Sequence, residues 1–565
     1  MSNHDFADLV LTNGIIYTVD DRDSVEEAVA IKEGRILFIG AAHQVEKYIG
    51  AATVRIDLQG KMVIPGMIDT HIHPPGLSLS ELYEVHLTGI KTFEGYLAAV
   101  QQFITDHPDA KLVYGRGWSW GLLQGEELVK GPRKEYLDAI TTEIPIALRA
   151  DDGHTLWVNS KAFTANGITT ETVVPAGGEI PKDPVSGELW GTLKEWAMGL
   201  IALPEYSLEQ YLEGMAAFQA KMHRLGITGI LCLAGPTFPL VFKTFTEMQK
   251  NGQLELRIRG AVTINAKDDL GEQFTAIRNL QAQLDINDLK ITTAKFFTDG
   301  VIEGGTGFLL EPYTLETGKG AGWYGTFLWD TDKLQQAFAG ANQAGLQIHV
   351  HSTGDASTRK VLDALEGTKA RVSDRDYRNT ITHLQLVDPL DIQRMKELGV
   401  VASVQPYWQF KTPNWWQSVD YRVLGERAER EYPLKSLFDA GLIVTASSDY
   451  PVTPVPNPFL AIEIGVTRNM AQGSMYGLDD ITDADDPTYL LNPNERVGVK
   501  AMIRSFTKNG AYCVFMEEAI GSIEVGKLAD LVVLDRNLFA IDPIDIDQTE
   551  VLLTIFNGKI VYQKI

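Results

Sequence analysis

Two pairs of histidines in the sequence have a single residue between their members: His71 with His73, and His349 with His351. The chain has 11 histidines among 565 residues, and random placement would give roughly 0.2 such pairs. Side chains two apart on a β-strand point to the same face, so each pair can converge on one point. Histidine nitrogens that converge in this way are ligands for a metal such as Zn²⁺. The spacing therefore predicts a metal site.

Further polar residues end other apolar runs and could meet the first pair: Lys295, His351, His383 and Asp449. A lysine in an apolar strand has a lowered pKa, so it can be a nucleophile or can be carboxylated by CO₂ to an anionic ligand. Asp449 is the natural general base of the set. Imidazole and carboxylate ligands suit Zn²⁺, and they also accept Mn²⁺, Fe²⁺ or Co²⁺.

The elements that must position these residues follow the pattern of a parallel α/β fold. Between about residues 60 and 515, apolar runs alternate with helical patterns. Eight runs are candidate strands: 62–68, 144–148, 227–233, 291–297, 346–350, 379–382, 400–404 and 442–446. Runs 111–114 and 256–264 also look like strands, so the eight are not uniquely assigned. This count predicts a TIM-like (β/α)8 barrel, whose active site forms at the C-terminal ends of its strands.

The two ends of the chain resemble each other. Short β-branched runs with turn signals fill residues 8–56 and 530–562, and Asn557-Gly558 predicts a type I′ hairpin turn. We therefore expect a small β-sandwich domain formed from both chain termini, with residues 1–60 and 516–565 flanking a barrel at 61–515. A segment around 105–200, dense in Gly, Trp and Pro, is interpreted as an insertion over the barrel mouth.

Composition restricts the partners. Lys and Arg total 50 against 74 Asp and Glu, a formal charge of −24, which disfavours nucleic acid and anionic membranes. The two cysteines, Cys232 and Cys513, exclude a disulfide framework and fit a reducing compartment. Neither a signal peptide nor a transmembrane pattern is apparent. We expect a cytoplasmic protein that acts on a small-molecule substrate.

Five motifs in a fixed order carry a family resemblance: VIPGMIDTHIH, AKFFTDG, HVHSTGD, ITHLQ and SSDYPV. Together they resemble the amidohydrolase superfamily, and within it the YtcJ-like branch that contains N-substituted formamide deformylase. The opening DLVLTNGIIYTVD and the closing segment 520–535 are similar to that family's sandwich strands. The resemblance spans nearly the whole chain. It implies a metal-dependent hydrolase that cleaves an amide-type C–N bond with activated water.

The resemblance also implies roles for the candidate ligands. One metal would be held by His71 and His73, a second by His351 and His383, with carboxylated Lys295 as the bridge and Asp449 as ligand and base. His349 would lie two residues before His351 in the strand, deeper in the barrel, and would support the ligands rather than bind the metal. The roles of His349 and His351 could also be exchanged. Whether the site holds one metal or two also remains open.

Other residues are candidates for contact with the substrate. His154, in the family-like segment around GHTLWVNS, could bind the carbonyl oxygen or could be a structural loop residue. Aromatic side chains near strand ends could form a pocket for an aryl or alkyl group. We select Trp118, Trp157 and Trp408 for this role and expect most other tryptophans to pack loops onto the barrel.

The same residues are also compatible with other functions. A single-metal deaminase is one, although Lys295 argues against it, and hydrolysis of an ester or lactone is chemically adjacent. A metal-free scaffold of the same fold is a different class, but the intact set of ligand types disfavours it. Homodimers are common among such barrels, and the assembly here rests on that analogy alone.

Overall fold

The structure is a computed structural model. It describes residues 6–150, 153–175, 177–203, 205–235, 238–284, 288–412, 415–476 and 478–564. The chain divides into two compact units. The first comprises residues 1–76 and 218–565, and the second comprises residues 77–217.

The first unit contains a sheet of eight parallel strands that are neighbours in chain order. The strands are β1 Met67–Ile72, β2 Ile227–Leu233, β3 Arg257–Thr263, β4 Leu289–Phe297, β5 Gln347–Ser352, β6 Thr380–His383, β7 Val401–Val404 and β8 Val444–Ala446. Every residue of β2 and of β5 is buried, as expected when both faces of a parallel sheet are covered. The predicted TIM-like barrel is confirmed.

Hydrogen bonds close the barrel between its first and last strands. The backbone N–H of Asp449 donates to the carbonyl of His71 at 2.8 Å, and the N–H of His73 donates to that of Tyr450 at 3.0 Å. The hydroxyl oxygens of Thr70 and Thr445 lie 2.9 Å apart. The ends of β1 and β8 are therefore held together where the candidate ligands follow.

Helices connect and follow the strands of this unit. The longer helices are Phe238–Lys250, Leu270–Gln283, Thr331–Gln343, Asp355–Thr368, Pro389–Glu397, Pro458–Thr467 and Val499–Phe506, and the shorter ones are Ala42–Val45, Asp420–Leu424, Leu434–Asp439 and Lys508–Cys513. Several begin at an aspartate whose side chain accepts a backbone N–H of the first turn, as Asp330 does from Lys333 at 3.0 Å. Such caps satisfy donors that the helix itself leaves unpaired.

Two of the eight candidate barrel strands differ in the structure. Run 144–148 belongs to a different sheet in the second unit, and β3 takes its place in the barrel. The sequence indicates a strand at 256–264, but the two arginines of this run disfavour a buried position. Arg257 is nevertheless buried, because its guanidinium pairs with Asp530 at 2.7 Å and Asp288 at 2.5 Å. Long-range ion pairs thus allow a charged segment to be a buried strand.

Run 62–68 also divides between two sheets. Met62–Pro65 pairs with Leu531–Leu534 and Ile15–Tyr17 in the sandwich, whereas β1 begins at Met67. Gly66 lies at the break, and a Cβ there would lie 2.3 Å from the hydroxyl oxygen of Thr228. Only glycine allows the chain to pass this close to β2.

The sandwich is built from both ends of the chain, as predicted. One sheet has the order Arg35–Gly40, Ala28–Lys32, Leu9–Thr12 and Val54–Asp57. The other has the order Lys559–Gln563, Val551–Phe556, Leu531–Leu534, Met62–Pro65, Ile15–Tyr17 and Val25–Glu26. Side chains from both termini share one hydrophobic core, in which Leu11 and Val29 pack with Leu531 and Ile555.

The second unit lies between β1 and β2 in the chain and has its own five-stranded sheet. Its strand order is Thr192–Lys194, Thr155–Val158, Ile146–Ala150, Val113–Trp118 and Val85–His86. Its helices are Ser78–Tyr83, Phe93–Asp106, Glu127–Lys130, Lys134–Asp138 and Ser160–Ala165, and the helix Leu208–Arg224 leads on into the first unit. The insertion is therefore longer than the predicted segment 105–200. Among all described residues, no helix is both long and apolar enough to cross a bilayer.

Candidate active site

Three of the predicted ligands meet at the junction of β1 and β8. Ligand atoms of His71, His73 and Asp449 all lie within 4.8 Å of one another. Oδ1 of Asp449 lies 2.9 Å from Nε2 of His73 and 3.4 Å from Nε2 of His71. Two imidazole nitrogens and one carboxylate oxygen pointing at a common centre are a donor set for a divalent metal.

The backbone has an uncommon conformation at two ligands. His383 has φ 78° and Asp449 has φ 55°, a left-handed region that side chains other than glycine rarely adopt. Such conformations carry a free-energy cost and persist where the surrounding structure requires them. In both cases the turn comes at the C-terminal end of a barrel strand, where it directs the side chain of the ligand.

His351 and His383 each use one ring nitrogen to hold the ring in place. Nε2 of His351 lies 2.9 Å from the carbonyl oxygen of Gly300, and Nδ1 of His383 lies 2.9 Å from Oε1 of Gln405. Both partner oxygens can only accept, so those nitrogens carry the protons. The other nitrogen of each ring keeps its lone pair and can bind a metal. The two ring centroids are 4.5 Å apart.

His349 lies behind His71. Its Nε2 is 2.9 Å from Nδ1 of His71. The hydroxyl of Thr382 lies 3.2 Å from that Nδ1 of His71. His349 is fully buried. If Nε2 of His71 binds a metal, its Nδ1 carries the proton and can donate it to His349. This contact supports His351 as the ligand of the pair and His349 as the residue that orients His71.

The charges of these groups suit a metal. Burial lowers the pKa of His71, His349 and His383 well below the usual range, and it lowers the pKa of His351 to about 3, with a further contribution from Lys295. These imidazoles are therefore neutral near pH 7, as metal binding requires. Burial also lowers the pKa of Lys295 to about 7, so a substantial share of this amine is in the neutral form that reacts with CO₂.

Unpaired buried atoms test whether a metal fits this donor set. Nζ of Lys295 and Oδ1 of Asp449 are buried without a hydrogen-bond partner. A buried polar atom without a partner costs about 1–3 kcal/mol, and a bound ion is one of the features that can satisfy such an atom. A divalent cation at Asp449, with an anionic modification on Lys295, would satisfy both. The residues present fit a metal centre.

All six predicted ligands line a single cavity of about 850 Å³ within the first unit. Much of the remaining wall is aromatic, with Tyr407, Trp408, Phe410, Trp415, Trp416 and Tyr432. A cavity of this size and composition suits a small organic molecule with an apolar part.

Comparison with known proteins identifies the family. A family model described as the amidohydrolase family matches residues 55–562. The chain belongs to the amidohydrolase family. The predicted likeness to the YtcJ-like and formamide deformylase branch is confirmed by two relatives. Putative amidohydrolase YtcJ of Bacillus subtilis (strain 168) is 27% identical, over 98% of each chain. N-substituted formamide deformylase of Arthrobacter pascens is 26% identical, over 99% of this chain and 98% of that protein.

A solved structure shows the same fold. An uncharacterised metal-dependent hydrolase from Pyrococcus furiosus superposes on this amidohydrolase with a TM-score of 0.71. The match covers 95% of this chain and 99% of that structure at 23% sequence identity. The family match and the His–His–Asp site together support a metal-dependent hydrolase.

The three tryptophans selected from the sequence have different positions in this amidohydrolase. Trp408 lines the cavity and stacks on His383, with ring centroids 5.7 Å apart and planes 16° apart. Trp118 and Trp157 are fully buried in the core of the second unit, where their indole N–H groups donate to backbone carbonyls at 2.8 and 3.0 Å. Neither ring has exposed surface for a substrate, so the structure assigns both of them to packing.

His154 also belongs to the second unit. Its side chain is 66% exposed, and its Nδ1 lies 3.1 Å from Oε2 of Glu195. Its role in catalysis stays a prediction.

Sequence reasoning missed three residues that support the ligands. Asp69 accepts backbone N–H groups of His71 and Ser448 and so ties β1 to the end of β8. Asp299 accepts three backbone N–H groups in the loops beside His351. Asp69 and Asp299 lie inside the family motifs, which is a signal that could have identified them. Gln405, the partner of His383, has no such signal.

Proposed function

We propose that this amidohydrolase cleaves an amide-type C–N bond in a small molecule with an aryl or alkyl group on the nitrogen. The observation that carries the proposal is the convergence of His71, His73 and Asp449 on an aromatic cavity. The name of the Arthrobacter relative, an N-substituted formamide deformylase, supports an N-substituted amide as the substrate class.

The residues would hold Zn²⁺, or alternatively Mn²⁺, Fe²⁺ or Co²⁺. His71, His73 and Asp449 would form one donor group, His351 and His383 would form a second, and Lys295, once carboxylated, would add an anionic donor. When bound, a divalent metal lowers the pKa of water and polarises the substrate carbonyl. The neutral imidazoles of His71, His351 and His383 can bind a metal without prior loss of a proton.

Asp449 is the proton carrier in this proposal. Its carboxylate accepts a proton from the water whose oxygen forms the new bond to the carbonyl carbon. It then donates that proton to the nitrogen as the C–N bond breaks, so that a carboxylic acid and an amine leave. General acid–base catalysis of this kind contributes typically 10²–10⁴-fold to the rate.

The aromatic wall would bind the substituent on the nitrogen. Trp408 is the best candidate, because the same ring also packs on His383 and so lies beside the reacting groups. His154 is retained as a candidate for stabilising the developing oxyanion. That role predicts that His154→Gln lowers kcat and leaves KM nearly unchanged.

The first experiment combines elemental analysis of the purified protein with a substrate panel. N-Benzylformamide, N-phenylformamide and their acetamides are compared with a benzyl ester, a lactone and an aminated ring that would release ammonia. About two metals per chain support the Lys295 bridge, and about one supports a mononuclear centre. No metal and no amide hydrolysis, even after addition of Zn²⁺ or Mn²⁺ with bicarbonate, would contradict the proposal.

A further inference from the structure

The cavity contains a second group of ionisable side chains besides the metal ligands. Glu303 and Asp420 line the cavity, and Glu431 lies directly behind its wall. The carboxylate of Glu431 accepts hydrogen bonds from Gln385 at 2.7 Å and from the indole of Trp416 at 3.2 Å. Both donors line the cavity as well. Glu303 thus meets two acidic residues of a later segment, Asp420 in the cavity wall and Glu431 behind it.

Of the three acids, Asp420 is the one with a buried carboxylate oxygen that has no hydrogen-bond partner. Only 8% of its surface is exposed, and its Oδ1 has no hydrogen-bond partner. Burial and the nearby Glu303 raise the pKa of Asp420, and burial together with Asp420 and Glu303 raises the pKa of Glu431. A buried carboxyl group next to other carboxyl groups lacks compensation for its charge.

The described cavity wall offers no positive charge near these acids. Its only lysine is Lys295, which belongs to the ligand group, and it includes no arginine. The charge that perturbs Asp420 comes from Glu303 and not from Lys295. Behind the wall, Arg468 donates to the backbone carbonyls of Glu431 and Tyr432, so Glu431 has a cation of the protein nearby. Asp420 keeps a carboxylate oxygen without a hydrogen-bond partner, and a cation on the substrate would pair with it.

Aromatic rings adjoin the acids. Trp416 and Tyr432 line the same cavity and are nearly buried. The indole N–H of Trp416 donates to Glu431, and Tyr432 is the next residue in the chain after Glu431. The Lys411 ammonium lies 4.4 Å from the centroid of the Trp416 ring, so an organic cation would gain from the remaining aromatic surface and from a desolvated carboxylate partner. Carboxylates combined with aromatic rings are the chemistry that recognises an ammonium or guanidinium group.

We propose that Asp420 and Glu303 form a subsite for a positively charged group of the substrate, so that the preferred substrate is an amide carrying an ammonium or guanidinium. The inference rests on the proposed hydrolase function of the same cavity and narrows its substrate class. The subsite binds the charged end while the amide carbonyl reaches the ligands His71, His73 and Asp449.

A binding experiment tests the subsite without requiring turnover. Benzyltrimethylammonium is titrated into the metal-loaded protein and followed by tryptophan fluorescence, with benzyl alcohol as the neutral probe. The quaternary ammonium has no lone pair, so it cannot bind the metal. We expect Asp420→Asn and Glu303→Gln each to weaken its binding at least about tenfold. The matched control Glu316→Gln, which removes an exposed carboxylate in the same unit, should leave binding unchanged.

Hydrolysis provides the second measurement. N-Formyl-4-(aminomethyl)benzylamine is compared with its hydroxymethyl analogue, which has similar size and no charge at pH 7.5. The wild type should prefer the charged formamide in kcat/KM by at least about tenfold, and Asp420→Asn should bring the ratio close to one. Equal use of both substrates, or a preference that survives in both acid variants, would overturn the subsite.

The two experiments separate this inference from the proposed function. Cation binding that depends on Asp420, with no hydrolysis of either formamide, would keep the subsite and reject the amide chemistry. Hydrolysis of both formamides without a charge preference would keep the function and reject the subsite.

Discussion

Nδ1 of His71 lies 2.9 Å from Nε2 of His349, so the two His-x-His pairs of the sequence meet through one hydrogen bond in the barrel interior. The bond leaves Nε2 of His71 facing Asp449. It also explains why His349 is fully buried and does not line the cavity. One member of the second pair thus supports the first pair, and the other, His351, reaches the cavity itself.

Loss of the His349 contact should weaken metal binding. For His349→Ala we expect metal affinity to fall about 10–100-fold, because His71 loses the acceptor that sets its tautomer and orientation. Competition with a chelator measures the affinity. His349→Gln should restore part of it, because its side-chain oxygen can accept the same proton. The exposed His43→Ala serves as the control, and an unchanged affinity in His349→Ala would contradict the orienting role.

Substitutions of Asp449 and His71 should distinguish metal binding from catalysis. Asp449→Asn keeps an oxygen donor but cannot accept a proton, so we expect metal to be retained and kcat to fall by about 10²–10⁴-fold. His71→Ala should lose metal as well as activity. Elemental analysis and initial rates on the best substrate of the panel measure both. Tightly bound metal with normal turnover in either variant would show that the assignment is wrong.

Lys295 should carry a carbamate. Its amine is buried without a hydrogen-bond partner, and its pKa is lowered to about 7, so the neutral amine that attacks CO₂ is well populated. After reconstitution with ¹³C-bicarbonate and metal, we expect a carbamate ¹³C resonance in the wild type and none in Lys295→Ala. Activity of the variant should fall at least about 100-fold and recover in part with added acetate.

Lys290→Ala is the matched control for that experiment, since Lys290 is the second residue of the same strand. It should keep both the resonance and the activity. A resonance that persists in Lys295→Ala would show that another residue carries the modification. Full activity of Lys295→Ala would show that Lys295 is not a metal ligand.

Trp408 and Trp157 should respond differently to truncation. Trp408→Ala removes the ring that lines the cavity, so we expect KM for an N-benzyl amide to rise about tenfold, with partial rescue by Trp408→Phe. Trp157→Ala removes a fully buried ring and should lower the free energy of unfolding of its unit by about 3–5 kcal/mol. Kinetics and urea unfolding measure the two effects. The opposite pattern would exchange the roles of the two residues.

Much of the metal centre could be predicted from the sequence because its signals are local. Histidine is rare, and a two-residue spacing on a strand places two side chains on one face whatever the rest of the chain does. The end of each barrel strand then brings the ligand to the same rim. For these reasons His71, His73, Lys295, His351, His383 and Asp449 could be selected before any contact between them was known.

Tertiary structure alone decided the rest, because those features depend on partners far away in the chain. Arg257 can lie in a barrel strand only because Asp530 and Asp288 neutralise it, and neither is a sequence neighbour. The chain has 74 acidic residues, so nothing in the sequence marks Glu303 and Asp420 as a pair. Burial and proximity distinguish them from the others, and both are properties of the folded chain.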